Sequence, residues 1–191
     1  IMPLFNKFTP LAEGELKAAI TGYAERQRFA IQGIYTMDGS KRSTRANAFF
    51  TGIGRFRRIV FFDTLTDKLA ASEIVAVLAH EIGQYKLKHI PMMMALSILQ
   101  MGLLFFILSL FLGNQGLFAA FGMEHISIYA GLVFFGFLYA PLSTLVSIGF
   151  NAFSRRNEYQ ADRFAAESGG SGEPLISGLK KLSVNNLANL T

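Results

Sequence analysis

Two stretches of this chain run without a charge for longer than the elements of a soluble domain require. Residues 90–113 form roughly two dozen uncharged positions, which as a helix span ~36 Å and exceed a hydrocarbon core of ~30 Å. Residues 126–154 are longer still and contain Pro141, which a membrane helix tolerates as a kink. Together they predict a transmembrane hairpin. Ahead of it the pattern is mixed. Thr9-Pro10 reads as an N-cap and first helical turn, opening a helix through Leu11, Leu16, Ala19, Ile20 and Tyr23 to about Arg28. Short β-like runs follow at 31–37, 46–51 and 57–63, separated by turn residues, and predict a small antiparallel sheet or meander. A helix then starts near Ala70 or Ser72 and runs towards Pro91. Beyond the hairpin, 155–167 reads as a charged helix, 168–172 as a glycine-rich stop, and 174–182 as a further short helix.

Composition sharpens the membrane reading. Hydrophobic residues make up 51% of the chain, only 16% are charged, and 19 Phe occur without a Trp, which argues against an ordinary soluble domain. With long uncharged runs in the same chain, the net charge of +5 reads more naturally as the flank charge of membrane spans than as a nucleic-acid surface. Lys86, Lys88, Arg155, Arg156 and Arg163 lie outside the outer ends, whereas the connecting residues 114–125 hold Glu124 and no Lys or Arg, which places the outer ends on the cytoplasmic side. Lys41, Arg42, Arg45, Arg55, Arg57 and Arg58 cluster around the strand turns. A nucleic-acid surface would interleave stacking aromatics on an exposed face, and the cluster reads instead as solvated or facing lipid headgroups, so no nucleic-acid partner is expected. The absence of Cys leaves only His and carboxylates as strong zinc donors. No basic, cleavable leader stands at the front, and the chain reads as a piece of a longer protein.

The candidate chemistry sits on the helix before the hairpin. His80-Glu81-Ile82-Gly83-Gln84 is a zinc-protease signature, His-Glu-x-x-His, with glutamine at the second histidine. That spacing matters because residues four apart share a helical face and can hold one metal while the glutamate works on its water. Glu158 and Asp162 stand at the same spacing on the helix after the hairpin. His89 points about 180° away from His80 if the helix is continuous, and His125 falls in the hairpin loop, so neither fills the place of Gln84. The run Asn47, Ala48, Phe49 and Phe50 reads either as an ordinary strand or as one that accepts an extended peptide as an added strand.

The segments 40–43, 47–51, 59–65, 77–83 and 85–89, then the hairpin and Arg155-Arg-Asn-Glu-Tyr-Gln-Ala-Asp162, resemble the integral-membrane CAAX prenyl endopeptidases of type I, relatives of the bacterial membrane protease HtpX. The resemblance implies an α+β, membrane-embedded gluzincin: a small antiparallel sheet, an active-site helix pair and a two-helix transmembrane hairpin. It implies one Zn2+ held at His80, Gln84 and Glu158, with affinity lowered by Gln84, and Glu81 as general base. Asp162 is expected either to hold the His80 ring N–H or to pair with a nearby Arg. Asn47, Ala48 and Phe49 become the substrate strand, although Arg45 stands where the family usually shows a histidine. The chain divides into 1–89, 90–154 and 155–191, forming one catalytic domain. The implied activity is hydrolysis of CAAX-type or membrane-protein peptides, with or without a prenyl group, at the lipid bilayer and on its cytoplasmic side. The alternative is an inactive relative that binds extended peptides or membrane partners without cutting them.

Overall fold

Thr9 and Pro10 do not open a helix. In the computed structural model, which describes residues 8–38, 48–51 and 57–187, Phe8–Pro10 form strand β1, and helix α1 covers Glu15–Arg26 with Gly14 at its N-cap. Pro10 has no N–H to give a ladder, and β1 stands at one edge of the sheet, where that loss is tolerated.

Three more strands complete the sheet: β2 (Gly33–Met37), β3 (Ala48–Thr51) and β4 (Arg58–Phe62), in the order β1-β2-β4-β3. The outer pairs are antiparallel, but β2 and β4 run parallel, with Ile34 opposite Ile59 and Tyr35 opposite Val60. The sheet is therefore mixed, and the expected antiparallel meander is corrected. The cause is visible in β4, where Ile59, Val60 and Phe61 are buried in succession. A strand covered on both faces reads as an unbroken apolar run and takes a central place, here between β2 and β3.

A short helix α2 (Asp63–Thr66) leads from β4 into α3 (Ala71–Lys86). Ile74, Leu78 and Ile82, four residues apart, form the buried stripe of α3 and pack with Ile20, Tyr23, Ile59, Phe61 and Leu65 in one core. The same periodicity leaves His80, Glu81 and Gln84 only partly covered. The helix does not continue to Pro91. It ends at Lys86, Lys88 adopts a left-handed φ of 57°, and His89 opens a new helix, α4 (His89–Leu112), where it is buried. The continuous-helix geometry that set His89 aside therefore does not hold.

The chain falls into two compact units, Lys88–Glu158 and the remainder, Ile1–Leu87 with Tyr159–Thr191. Within the first, α4 is followed by α5 (Gln115–Ala120) and α6 (Ile128–Gly169). The tip of the hairpin is packed by aromatics: Phe111 and Phe118 are buried, and Phe121 stacks on Phe134 at 4.1 Å. A Cβ at Gly131 would lie 2.5 Å from Leu112 Cδ2, so a larger residue there would require the Leu112 side chain to shift. Elsewhere the apolar side chains face outward, with Leu99 68% and Phe137 74% exposed. Outward aliphatic and aromatic surface of this extent is matched to lipid rather than water. Ser109, Ser143 and Ser147 each return their hydroxyl to a carbonyl of the preceding turn, which satisfies a group that lipid cannot.

Helix α6 passes through Pro141 and continues for 42 residues, about 63 Å at 1.5 Å per residue. No helix end separates its apolar stretch from the segment bearing Glu158 and Asp162. The last element, α7, spans Glu173–Leu187.

Candidate active site

Helix α3 carries the first half of the site on its partly covered face. Gln84 lies one turn after His80, and its Nε2 is 3.0 Å from His80 Nε2. On the other side of the ring, His80 Nδ1 is 2.7 Å from Asp162 Oδ1, a contact between residues 82 apart in sequence. The carboxylate can only accept, so Nδ1 carries the proton and donates it to Asp162. Nε2 is then an acceptor, and the Gln84 amide N–H donates to it. Arg163, beside Asp162, turns to Glu167 at 2.7 Å.

Small residues let the two helices meet. Gly83 is buried, and a Cβ there would lie 2.9 Å from Phe164 Cδ1 and 3.2 Å from the Phe164 Cβ. Ala161 and Ala165 of α6 are also buried. Lys86 closes the same contact with its Nζ 5.3 Å from the Phe164 ring centroid and donates to Gln27 at 3.0 Å. Tyr23 of α1 donates to Ser168 Oγ at 2.5 Å, and Ser168 passes its own proton to the Phe164 carbonyl. Burial pushes the Tyr23 phenol above its ordinary value, which keeps it a donor.

The start of α3 is anchored by a group the sequence did not single out. Glu73 is buried and accepts from Ser177 at 2.6 Å, from Lys181 at 2.8 Å and from the Ala70 backbone N–H at 2.9 Å. The Lys181 and Ser177 hydrogen bonds lower its pKa to about 2, against the opposing effect of burial. The only sequence signal was its position three residues after the N-cap, Ala70, where a carboxylate can bond back to the N-cap N–H. At the other end of α3, the Arg57 guanidinium stands 4.2 Å from the Phe29 ring centroid and 4.4 Å from that of Tyr85, tying the helix to the sheet. Arg58 donates to Gln32 at 3.0 Å. Of the basic cluster, Lys41, Arg42, Arg45 and Arg55 lie outside the described residues.

The remaining site residues are distributed as follows. Glu81 is half-buried on α3, next to His80, and Glu158 is exposed on α6, one turn before Asp162. Ala48 and Phe49 belong to edge strand β3, opposite Phe61 and Val60 of β4; Asn47 lies outside the described residues. Among the described residues, no three of His, Cys, Asp and Glu gather as a metal-holding group. Zinc needs lone pairs converging at about 2.0–2.2 Å, whereas Gln84 directs an N–H at the lone pair of His80. The donor set in this arrangement does not fit the ion.

Comparison with known proteins gives the family. The model of peptidase family M48 matches residues 10–189. The chain belongs to peptidase family M48. Among curated proteins, it is 37% identical to CAAX prenyl protease 1 of Saccharomyces cerevisiae, covering 100% of this chain and 45% of that protein. It is 34% identical to the human CAAX prenyl protease 1 homolog, covering 98% of this chain and 47% of the relative. The crystal structure of S. mikatae Ste24p superimposes with a TM-score of 0.79 at 38% identity, covering 97% of this chain and 47% of that one. The fold is thus Ste24p-like, a membrane-embedded α+β arrangement, and the M48 chain spans less than half the length of these relatives.

Proposed function

We propose that this M48 chain belongs to a membrane-bound zinc metalloendopeptidase of the CAAX type whose turnover is impaired at Gln84. The observation that carries the reading is the 2.7 Å contact of His80 with Asp162, which joins the two motif helices across the hairpin in a chain matched to M48 along its length. The proposed roles are His80 and Glu158 as zinc ligands, Gln84 in the place of the other ligand, and Glu81 as the proton acceptor and donor of hydrolysis. Asp162 fixes the tautomer of His80. The substrate class is an extended peptide, prenylated as the names of the relatives imply, laid along β3 at Ala48 and Phe49, with Asn47, which lies outside the described residues, as the further contact, on the cytoplasmic face of the bilayer. With the present donor set, the loss of an imidazole ligand removes more affinity than the 10- to 100-fold that follows loss of an outer hydrogen-bond partner.

The test is cleavage of a prenylated CAAX peptide by the full chain in lipid vesicles. Activity is expected to be low in the native chain, to rise on Gln84→His, and to vanish again on Glu81→Gln in that background. A Gln84→His protein that loads zinc yet cuts no peptide overturns the peptidase reading.

The Gln84–His80 hydrogen bond favours a second reading, a peptide-binding M48 relative that does not cleave. Binding of the same peptide would then survive Glu81→Gln and fail on Ala48→Pro, because proline removes the backbone donor at that position.

A further inference from the structure

Gln84 has two ways to meet His80, and they have opposite consequences for a metal. As a ligand it would turn its Oε1 towards the point His80 Nε2 faces, so that two lone pairs converge on a cation. As a cap it would turn its NH2 there and fill the lone pair itself. The amide is planar, with acceptor and donor on opposite sides, so a single side chain cannot do both at one point.

The hydrogen bonds decide between them. Asp162 Oδ1 accepts from His80 Nδ1, which leaves Nε2 as the acceptor. Gln84 lies 3.0 Å from that nitrogen, and only its N–H complements an acceptor. An Oε1 at the same place would oppose two lone pairs. The order along the chain of bonds is Gln84 N–H to His80 Nε2, then His80 Nδ1–H to Asp162. Both ring nitrogens of His80 are satisfied without an ion.

Resting on the M48 reading above, we infer that Gln84 is an antagonist of metal binding rather than a weak ligand: its amide occupies the imidazole atom that zinc would take. Before zinc can reach Nε2, this hydrogen bond must break and the amide must rotate away. The His-to-Gln difference then does two things together, since it deletes a ligand and adds a competitor for the one that remains.

The distinguishing variant is Gln84→Ala, which removes a candidate ligand and the competing donor at once. Zinc affinity of the full chain in detergent is measured by competition against a chromophoric chelator, for the native protein and for Gln84→Ala, Gln84→Glu and Gln84→His. The inference predicts that Gln84→Ala binds zinc severalfold, up to about tenfold, more tightly than the native chain, as expected for release of one hydrogen bond. Gln84→Glu and Gln84→His, which supply lone pairs without an amide donor, bind more tightly again. Equal or weaker binding by Gln84→Ala makes Gln84 a ligand and overturns the inference. If Gln84→Ala fails to fold, Gln84→Glu decides, and no gain over the native chain counts against the cap. The 15N resonance of His80 Nε2 provides a readout without metal: Gln84→Ala shifts it downfield towards an unbonded imidazole nitrogen, and an unchanged shift contradicts the cap. The two levels separate cleanly. A Gln84→His protein that takes up no zinc sinks the M48 metal reading, whereas tight zinc in Gln84→His with weaker binding in Gln84→Ala sinks only the cap.

Discussion

At His80 the chemistry depends on which ring nitrogen holds the proton, and that is set by Asp162, 82 residues away. The tetrad His80-Glu81-x-x-Gln84 is legible from spacing alone, because 3.6 residues per turn puts positions 80 and 84 on one face. The direction of the Gln84 amide is not legible. It follows from the tautomer, and the sequence left Asp162 with two partners, His80 or an arginine. Two expectations belong at this scale. Asp162→Asn in a Gln84→His background loses the anionic acceptor that holds Nδ1–H, and zinc affinity by chelator competition falls about 10- to 100-fold. Prolonged chelation leaves the thermal unfolding temperature of the native chain unchanged by circular dichroism, because its Gln84–His80–Asp162 bonds are complete without an ion; a substantial drop contradicts this.

Among the elements, helix α3 is held at both ends by contacts that periodicity does not encode. Glu73 at its start has its carboxyl pKa lowered from 4.5 to about 2, so ionised Glu73 contributes stability above about pH 4.5, and this is lost as pH falls towards 2. Glu73→Gln is expected to cost about 2 kcal/mol near neutral pH, within the range for a hydrogen bond to a charged group, and to flatten the acid limb of the stability profile measured by circular dichroism. In the middle of α3, Gly83→Val places branched carbons where a single Cβ already lies 2.9 Å from Phe164. The helices must separate, and the expected result is loss of the His80–Asp162 coupling, seen as a change in the His80 15N shifts, together with a lower unfolding temperature. The sequence misplaced other element boundaries for physical reasons. Thr9-Pro10 is compatible with a helix start and with an edge strand, and the choice was made by pairing with Tyr35 and Thr36 of β2. The stop after Lys86 relies on a left-handed Lys88, a conformation usually marked by Gly or Asn, so no residue type announced it.

Over the whole molecule, the hairpin was the most legible feature, since two uncharged runs of that length leave few alternatives and the outward aromatic surface agrees with them. The parallel β2–β4 pair was the least legible, because register between distant strands is set by burial on both faces rather than by local pattern. Sidedness belongs to this scale. The chain has no cysteine of its own, so a single cysteine introduced in the 114–125 connection reports cleanly; it is expected to react with an impermeant reagent from outside the cytoplasm, and labelling from the cytoplasmic side alone contradicts the orientation. The central proposal is that His80 and Glu158 both serve as zinc ligands. The most direct measurement is the zinc content of the purified Gln84→His protein compared with the same protein carrying Glu158→Ala. One zinc per chain in the first and near none in the second is the predicted result. Equal zinc in both would contradict the proposed role of Glu158.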